Sequence, residues 1–261
     1  MLSDENFQQE GKIVFNLGIS AMIDLKTARA RHLSSVYSKY DFLDFETNIK
    51  GDFYAAGYII SGDFQQEILT SKLQGLASHL DVKVNSAEDF AREFLEGILS
   101  RRTTLVAYST AEQNTLLSLL PNDHTLLKGI QYCNLAKAAR RWVAKFKQKE
   151  FKDLPPLVKS ANNFSSKRHP KSLASICRLI GFEAPADYAI GKTTSRFNTV
   201  ISSLEKKNQN YQQLTAVQKA KATKGMKHNR YDVEAMVQLL IAIKEADPKI
   251  LEKATSPLLS D

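Results

Sequence analysis

Cysteine is scarce in this chain, and long apolar runs are absent. Only Cys133 and Cys177 occur among 261 residues. Each sits in an apolar-patterned segment, so two buried free thiols are expected rather than a disulfide. No Cys/His pairing has zinc-ligand spacing, which argues against a structural zinc site. No apolar run approaches the ~20 residues that cross a bilayer as a helix. The opening residues, Met1-Leu2-Ser3-Asp4-Glu5-Asn6, are acidic and polar. They lack the basic-then-apolar layout of a secretory leader. A reducing cytoplasm is therefore the expected compartment, with no membrane partner. Internal repeats and long low-complexity tracts are also missing.

What is present suits a globular fold. Hydrophobic residues make up 43% and charged residues 25% of the chain. That is enough apolar content for one large domain or two small ones. The net charge of +8 and pI near 9.3 favour an anionic partner.

The pattern of residues predicts an α/β fold, a mixed sheet flanked by helices. Lys12 to Met22 reads as a strand or extended arm, and Asp24 to Tyr40 as a helix. Tyr40 to Thr47 and Asp52 to Ser61 read as strands, with Gly62-Asp63 as a hairpin turn into a third strand, Phe64 to Ser71. Ala87 to Arg102 carries a helical stripe of Phe90, Phe94, Leu95, Ile98 and Leu99. Thr103 to Tyr108 reads as a buried strand, followed by a helix from Ser109 or Thr110 to Leu120, which Pro121 ends. The second half reads mostly helical: Ile130 to Phe151, Ser172 to Ile180, Thr194 to Gln209, Thr215 to Lys224 and Asp232 to Glu245. Pro155 to Pro170 reads as a loop.

The segment Tyr40-Asp41-Phe42-Leu43-Asp44-Phe45-Glu46-Thr47 carries the most chemistry. Asp44 and Glu46 are two apart on a strand, so both point to one face. Two adjacent carboxylates repel unless a cation sits between them. The plain reading is a solvated strand face. Two further acids stand at the starts of predicted helices. Glu112 follows the turn after the strand Thr103 to Tyr108, where the helix dipole alone would favour it. Asp232 opens the stripe Val233, Met236, Val237, Leu240 and Ile241, with His228 one turn before it. Three or four such acids, brought close, are what a two-metal phosphodiesterase needs.

Together these stretches resemble the DEDD superfamily of 3′–5′ exonucleases, which have a ribonuclease-H-like fold. Asp44 and Glu46, with Thr47 after them, match the first motif. Glu112 falls where the second motif places its acid, although Asp is usual there. Asp232, in Asp-Val-Glu-Ala, matches the last acid. Ser172 to Gly181 is similar to the packing helix that precedes the last motif. His228 departs from the pattern: one subgroup has Tyr four residues before the last Asp, another has His five before, and here His stands at the Tyr spacing. The resemblance implies two Mg2+ or Mn2+ ions held by Asp44, Glu46, Glu112 and Asp232, with His228 positioning water. It implies an exonuclease domain over residues 40–245, an N-terminal extension over 1–39 and a C-terminal tail over 246–261.

The basic charge is local. Lys137 to Lys171 holds eight Lys and three Arg against Glu150 and Asp153, a net of +9. A solvated helix face plus a charged loop would look the same. Read functionally, Lys137, Arg140, Arg141, Lys145, Lys167, Arg168 and Lys171 contact phosphates of DNA or RNA, most simply a single-stranded 3′ end, and Trp142 or Phe164 stacks on bases. Two rivals to the nuclease follow: a nucleic-acid-binding protein of the same fold without catalysis, and an adaptor for an acidic protein.

Overall fold

Apolar residues and three acids are interspersed along β1 (Tyr40–Thr47), and this strand organises the molecule. A computed structural model describes residues 33–48, 50–155, 171–183, 185 and 193–259. Phe42, Asp44 and Glu46 share one face of β1, while Asp41, Leu43 and Phe45 share the other. Phe42 and Leu43 are both fully buried, so both faces are covered. β1 pairs antiparallel with β2 (Phe53–Ile60) and parallel with β4 (Thr104–Ala107). The six-stranded mixed sheet has the order β3-β2-β1-β4-β5-β6, with β3 (Asp63–Ile68), β5 (Gln131–Asn134) and β6 (Thr255–Pro257). β4 and β5 are parallel, and β6 is antiparallel to β5.

The helices in chain order are α1 (Gln74–Leu80), α2 (Ala87–Arg101), α3 (Thr110–Leu119), α4 (His124–Gly129), α5 (Leu135–Phe146), α6 (Gln148–Asp153), α7 (Leu173–Cys177), α8 (Thr193–Glu205), α9 (Ala216–Ala246) and α10 (Lys249–Glu252). On one face of the sheet, Phe90, Phe94 and Leu95 of α2 pack on Leu43, Ala56 and Leu105. On the other face, Trp142 of α5 and Met236 and Leu240 of α9 pack on Phe42, Val106 and Cys133. A third cluster joins Phe197, Val200 and Leu204 of α8 to Tyr54 and Ile68. Cys133 and Cys177 are free and buried, as expected. No helix among the described residues is long and apolar enough to cross a membrane.

Several elements differ from expectation. The hairpin turn lies at Ser61 and Gly62, with φ of 53° and 95°. Two consecutive positive φ values suit a tight hairpin, and Asp63 already pairs with Ile60. The third strand ends at Ile68, and the chain turns into α1. The expected helix from Ile130 to Phe151 is three elements: β5, α5 and α6. Asn134 separates the first two, because its side chain accepts from the Lys137 N–H and caps α5. Conversely, the two helices expected over 215–245 are one, α9, of 31 residues. Its buried stripe, Ala222, Met226, Asn229, Val233, Met236, Leu240 and Ile243, runs unbroken through the lysine-rich stretch. The expected tail instead supplies α10 and β6, and Leu258 is fully buried. The strand or arm over Lys12 to Met22 lies outside the described residues, as do 156–170 of the expected loop. Residues 33–37 of the first expected helix are helical.

Asp41 ties the helical layer to β1. It is fully buried, and its Oδ2 accepts from Arg101 Nη2 at 2.9 Å, from Arg101 Nε at 3.2 Å and from the Thr103 hydroxyl. Removing one partner of a buried pair leaves an uncompensated charge. Arg101→Met is expected to cost about 3 kcal/mol in urea unfolding, and adding Asp41→Asn should recover part of it.

Candidate metal centre

β4 pairs with β1 only as far as Phe42. Asp44 and Glu46 therefore stand beyond the last β1–β4 pair, where β4 leaves the sheet for the turn into α3. A crevice at the carboxyl ends of parallel strands is the usual place for a site in such a sheet. The β1–β2 register shifts between Glu46 and Thr47. Such bulges re-aim neighbouring side chains.

Three elements add groups to this crevice. α9 crosses the face that carries Phe42, Asp44 and Glu46, and brings His228, Asn229 and Asp232. α3 brings Glu112. α8 brings Arg196, and Thr194 Oγ1 of α8 donates to the Thr47 carbonyl at 3.2 Å. Glu46, His228 and Asp232 each offer a ligand atom, and the three atoms lie within 4.8 Å of one another. Glu46 Oε1 is buried with no hydrogen-bond partner among the described residues. A buried carboxylate oxygen without a donor is costly unless something else compensates it.

The electrostatics follow from crowding. Burial raises the Asp44 carboxyl well above its ordinary value, and the charges of Asp232, Glu46 and Glu112 raise it further. Burial and Asp232 do the same to Glu46, against the opposing charge of Arg196. Asp232 is pushed up to about 7 by burial and by Glu112. Burial also raises Glu112, against its bonds from Ser109. His228 moves the other way, to about 4, through burial and the nearby Arg196 charge. At neutral pH His228 is therefore uncharged. Its contact of 3.4 Å with Asp232 Oδ2 is a loose polar contact rather than an ion pair.

Asp44 is held from the far side by a relay that crosses three strands. Asp44, Gly57 and Gln66 are in register on β1, β2 and β3. Asn229 lies over this row. Its Nδ2 donates to Asp44 Oδ2 at 2.8 Å and to the Asp44 carbonyl at 3.2 Å. Gln66 Nε2 donates to Asn229 Oδ1 at 2.9 Å, which sets the amide's orientation. A Cβ on residue 57 would come within 2.1 Å of Asn229 Oδ1, so only glycine admits the relay. Sequence reading missed Asn229, Gln66, Gly57 and Arg196. Gly57 carried a signal, since a glycine inside an apolar strand marks close approach of another group.

The expected site residues divide sharply. Asp44, Glu46, Asp232 and His228 converge, and Glu112 lies near enough to raise Asp44 and Asp232. Glu112 is also the N3 residue of a capping box, accepting through Oε2 from Ser109 N at 3.1 Å and Oγ at 2.9 Å. Trp142 is only 3% exposed and belongs to the core under α5, so it offers no face to a base. Lys137, Arg140, Arg141 and Lys145 are exposed on α5, and Lys171 is exposed beside Tyr108, whose hydroxyl donates to its carbonyl at 2.7 Å. Lys167, Arg168 and Phe164 lie outside the described residues.

The donor set, carboxylate oxygens with one imidazole, suits hard divalent cations. No family model, curated protein or solved structure matches the chain.

These shifts have a sign. The raised carboxyls hold protons in the folded chain at pH values where the unfolded chain has lost them. Stability of the metal-free protein therefore falls as pH rises from about 4 through the folded values, including about 7 for Asp232. His228 opposes this between about 4 and 6.5, as one group against several. Asp44→Asn is expected to raise the melting temperature in EDTA by a few degrees at pH 8, with the gain shrinking toward pH 4. Thermal melts across that range check it.

Proposed function

We propose that the protein is a metal-dependent 3′–5′ exonuclease of the DEDD superfamily, with a ribonuclease-H-like fold, acting on the 3′ end of single-stranded DNA or RNA. The observation that carries the reading is Glu46, whose buried Oε1 lacks a donor while Asp232 and His228 lie against it. Four raised carboxyls stand at the ends of the central strands, and neighbouring acids help raise Asp44, Glu46 and Asp232, a repulsion that divalent cations would relieve. The order of three strands, two helices, a strand, two helices and a further strand before a mostly helical second half supports the fold assignment.

Asp44, Glu46, Glu112 and Asp232 would hold Mg2+ or Mn2+. When bound, such ions supply Lewis-acid activation of water and stabilisation of the departing 3′ oxygen. The chain's own groups do the rest. Asn229 fixes the Asp44 carboxylate, and the β1–β2 register shift lies directly after Glu46. His228, neutral at pH 7, accepts a hydrogen bond from the attacking water and orients it. Arg196 offsets part of the acid charge and lies where a phosphate would approach Glu46.

A second reading has an observation in its favour. Glu112 is committed to the Ser109 cap, and His228 stands one residue nearer the last acid than in the family's His subgroup. Both suit a protein that binds nucleic acid without cutting it. Incubation with 5′-labelled and 3′-labelled single strands in Mg2+, Mn2+ or EDTA separates the two. The nuclease reading expects shortening from the 3′ end that EDTA stops, and a loss of at least about a hundredfold in Asp44→Ala. Full activity in a folded Asp44→Ala protein would sink the assignment. Salt-sensitive binding without product in either metal would favour the second reading.

A further inference from the structure

α5 exposes cations and almost nothing else. Lys137, Arg140, Arg141 and Lys145 face solvent, and no acid occurs between Leu135 and Phe146. Lys137, Arg141 and Lys145 recur every fourth residue, so they form one stripe with steps of about 6 Å along the axis. The stripe starts beside the carboxylates, where the Ala136 N–H donates to the Tyr108 carbonyl at 2.7 Å, one residue before the cap of α3. It ends in a cleft of about 290 Å3 lined by Arg141, Lys145, Asp247, Lys249, Ile250 and Lys253.

That cleft holds four cations against one carboxylate. Asp247 Oδ2 is taken by Lys145 Nζ at 2.9 Å, and its Oδ1 accepts from the Lys249 backbone N–H at 3.1 Å. Arg141 donates from Nη1 to the Lys253 carbonyl at 2.6 Å, which anchors the guanidinium and leaves the rest of its fork to the cleft. Lys249 and Lys253 are exposed and form no salt bridge among the described residues. Three net positive charges in a concave site select a polyanion.

Phe146 says which kind. It follows the lining residue Lys145, is 41% exposed, and carries Lys145 Nζ at 5.0 Å from its ring centroid. A solvent-facing ring beside a cationic groove is the combination that binds single-stranded nucleic acid, with bases stacked on the ring and phosphates in the groove.

We propose that this cleft and Phe146 grip single-stranded nucleic acid at a second station, remote from the carboxylates and joined to them by the cations of α5. Asp232 and Asp247 are fifteen residues apart on or just beyond α9, or ~22 Å along its axis. The strand is thus held several nucleotides from the end that reaches Asp44 and Glu46; which end that is rests on the nuclease reading.

The test is equilibrium binding of a labelled oligothymidylate of about 20 nucleotides, in EDTA over a salt series. Lys249→Glu with Lys253→Glu should weaken binding about tenfold or more and flatten the salt slope by roughly one to two. Phe146→Ala should weaken oligothymidylate and leave inorganic polyphosphate unaffected. Unchanged oligothymidylate binding in the double variant, with its circular dichroism intact, overturns the proposal. So does an equal loss for oligothymidylate and polyphosphate with Phe146→Ala silent, which marks a general polyanion site. With metal absent from the assay, the two readings fail separately. A protein that binds here and cuts nothing sinks the nuclease alone, and one that cuts but ignores the cleft variants sinks the cleft alone.

Discussion

Like charge crowded into a poorly hydrated crevice is the constraint around which this fold is arranged. Two unit charges about 4 Å apart near a protein surface repel by about 4 kcal/mol. Asp44, Glu46, Glu112 and Asp232 would separate if their elements were free to move. They are not. β1 is the middle of the sheet, with both faces packed, and α9 is seated by a stripe of buried residues that extends well past Asp232 in both directions. Apolar burial far from the crevice therefore opposes repulsion inside it. Local devices finish the work: Asn229 donates to Asp44, Arg196 faces Glu46, and Ser109 donates twice to Glu112.

How much of this could be read in the amino-acid order depended on how many residues carried each signal. β1 was legible because Phe42, Leu43 and Phe45 form an apolar run that also carries two acids at the strand's two-residue spacing, and α2 because its stripe from Phe90 to Leu99 runs through nearly three turns. β5 was not, because four residues cannot establish a period, and the helix-forming Leu135 to Phe146 follows at once. The continuity of α9 was hidden by its own solvent face. One helix was expected to stop at Lys224 and the next to begin at Asp232, yet across that gap Thr223, Lys227 and Arg230 face out while Ala222, Met226 and Asn229 keep the inward helical spacing. Trp142 shows the same error reversed. Cations on either side suggested a nucleic-acid surface, yet on a helix the residue following Arg141 turns by about 100°, here into the core.

Glu112 shows why competing readings of one residue need not exclude each other. A helix N-terminus favours an acid for reasons of its own, and here that preference is realised in a full capping box. The same bonds fix where the carboxyl sits, close enough to Asp44 and Asp232 to raise both. Structural and electrostatic roles are served by one geometry. Asn229 makes the complementary point. It adjoins His228 in sequence, carries no charge, and reaches Asp44 only through the space left by the Cβ that Gly57 lacks.

The length of α9 has a consequence of its own. His228, Asn229 and Asp232 lie along one unbroken helix that ends at the residue before Asp247. No loop intervenes to stretch or fold between the carboxylates and the basic cleft. The helix is in that sense a ruler. On the proposed reading, a strand long enough to span it would engage two stations at once and gain from the tether between them. A strand too short to span it would be left with one, so the length of a single helix would divide such ligands by size.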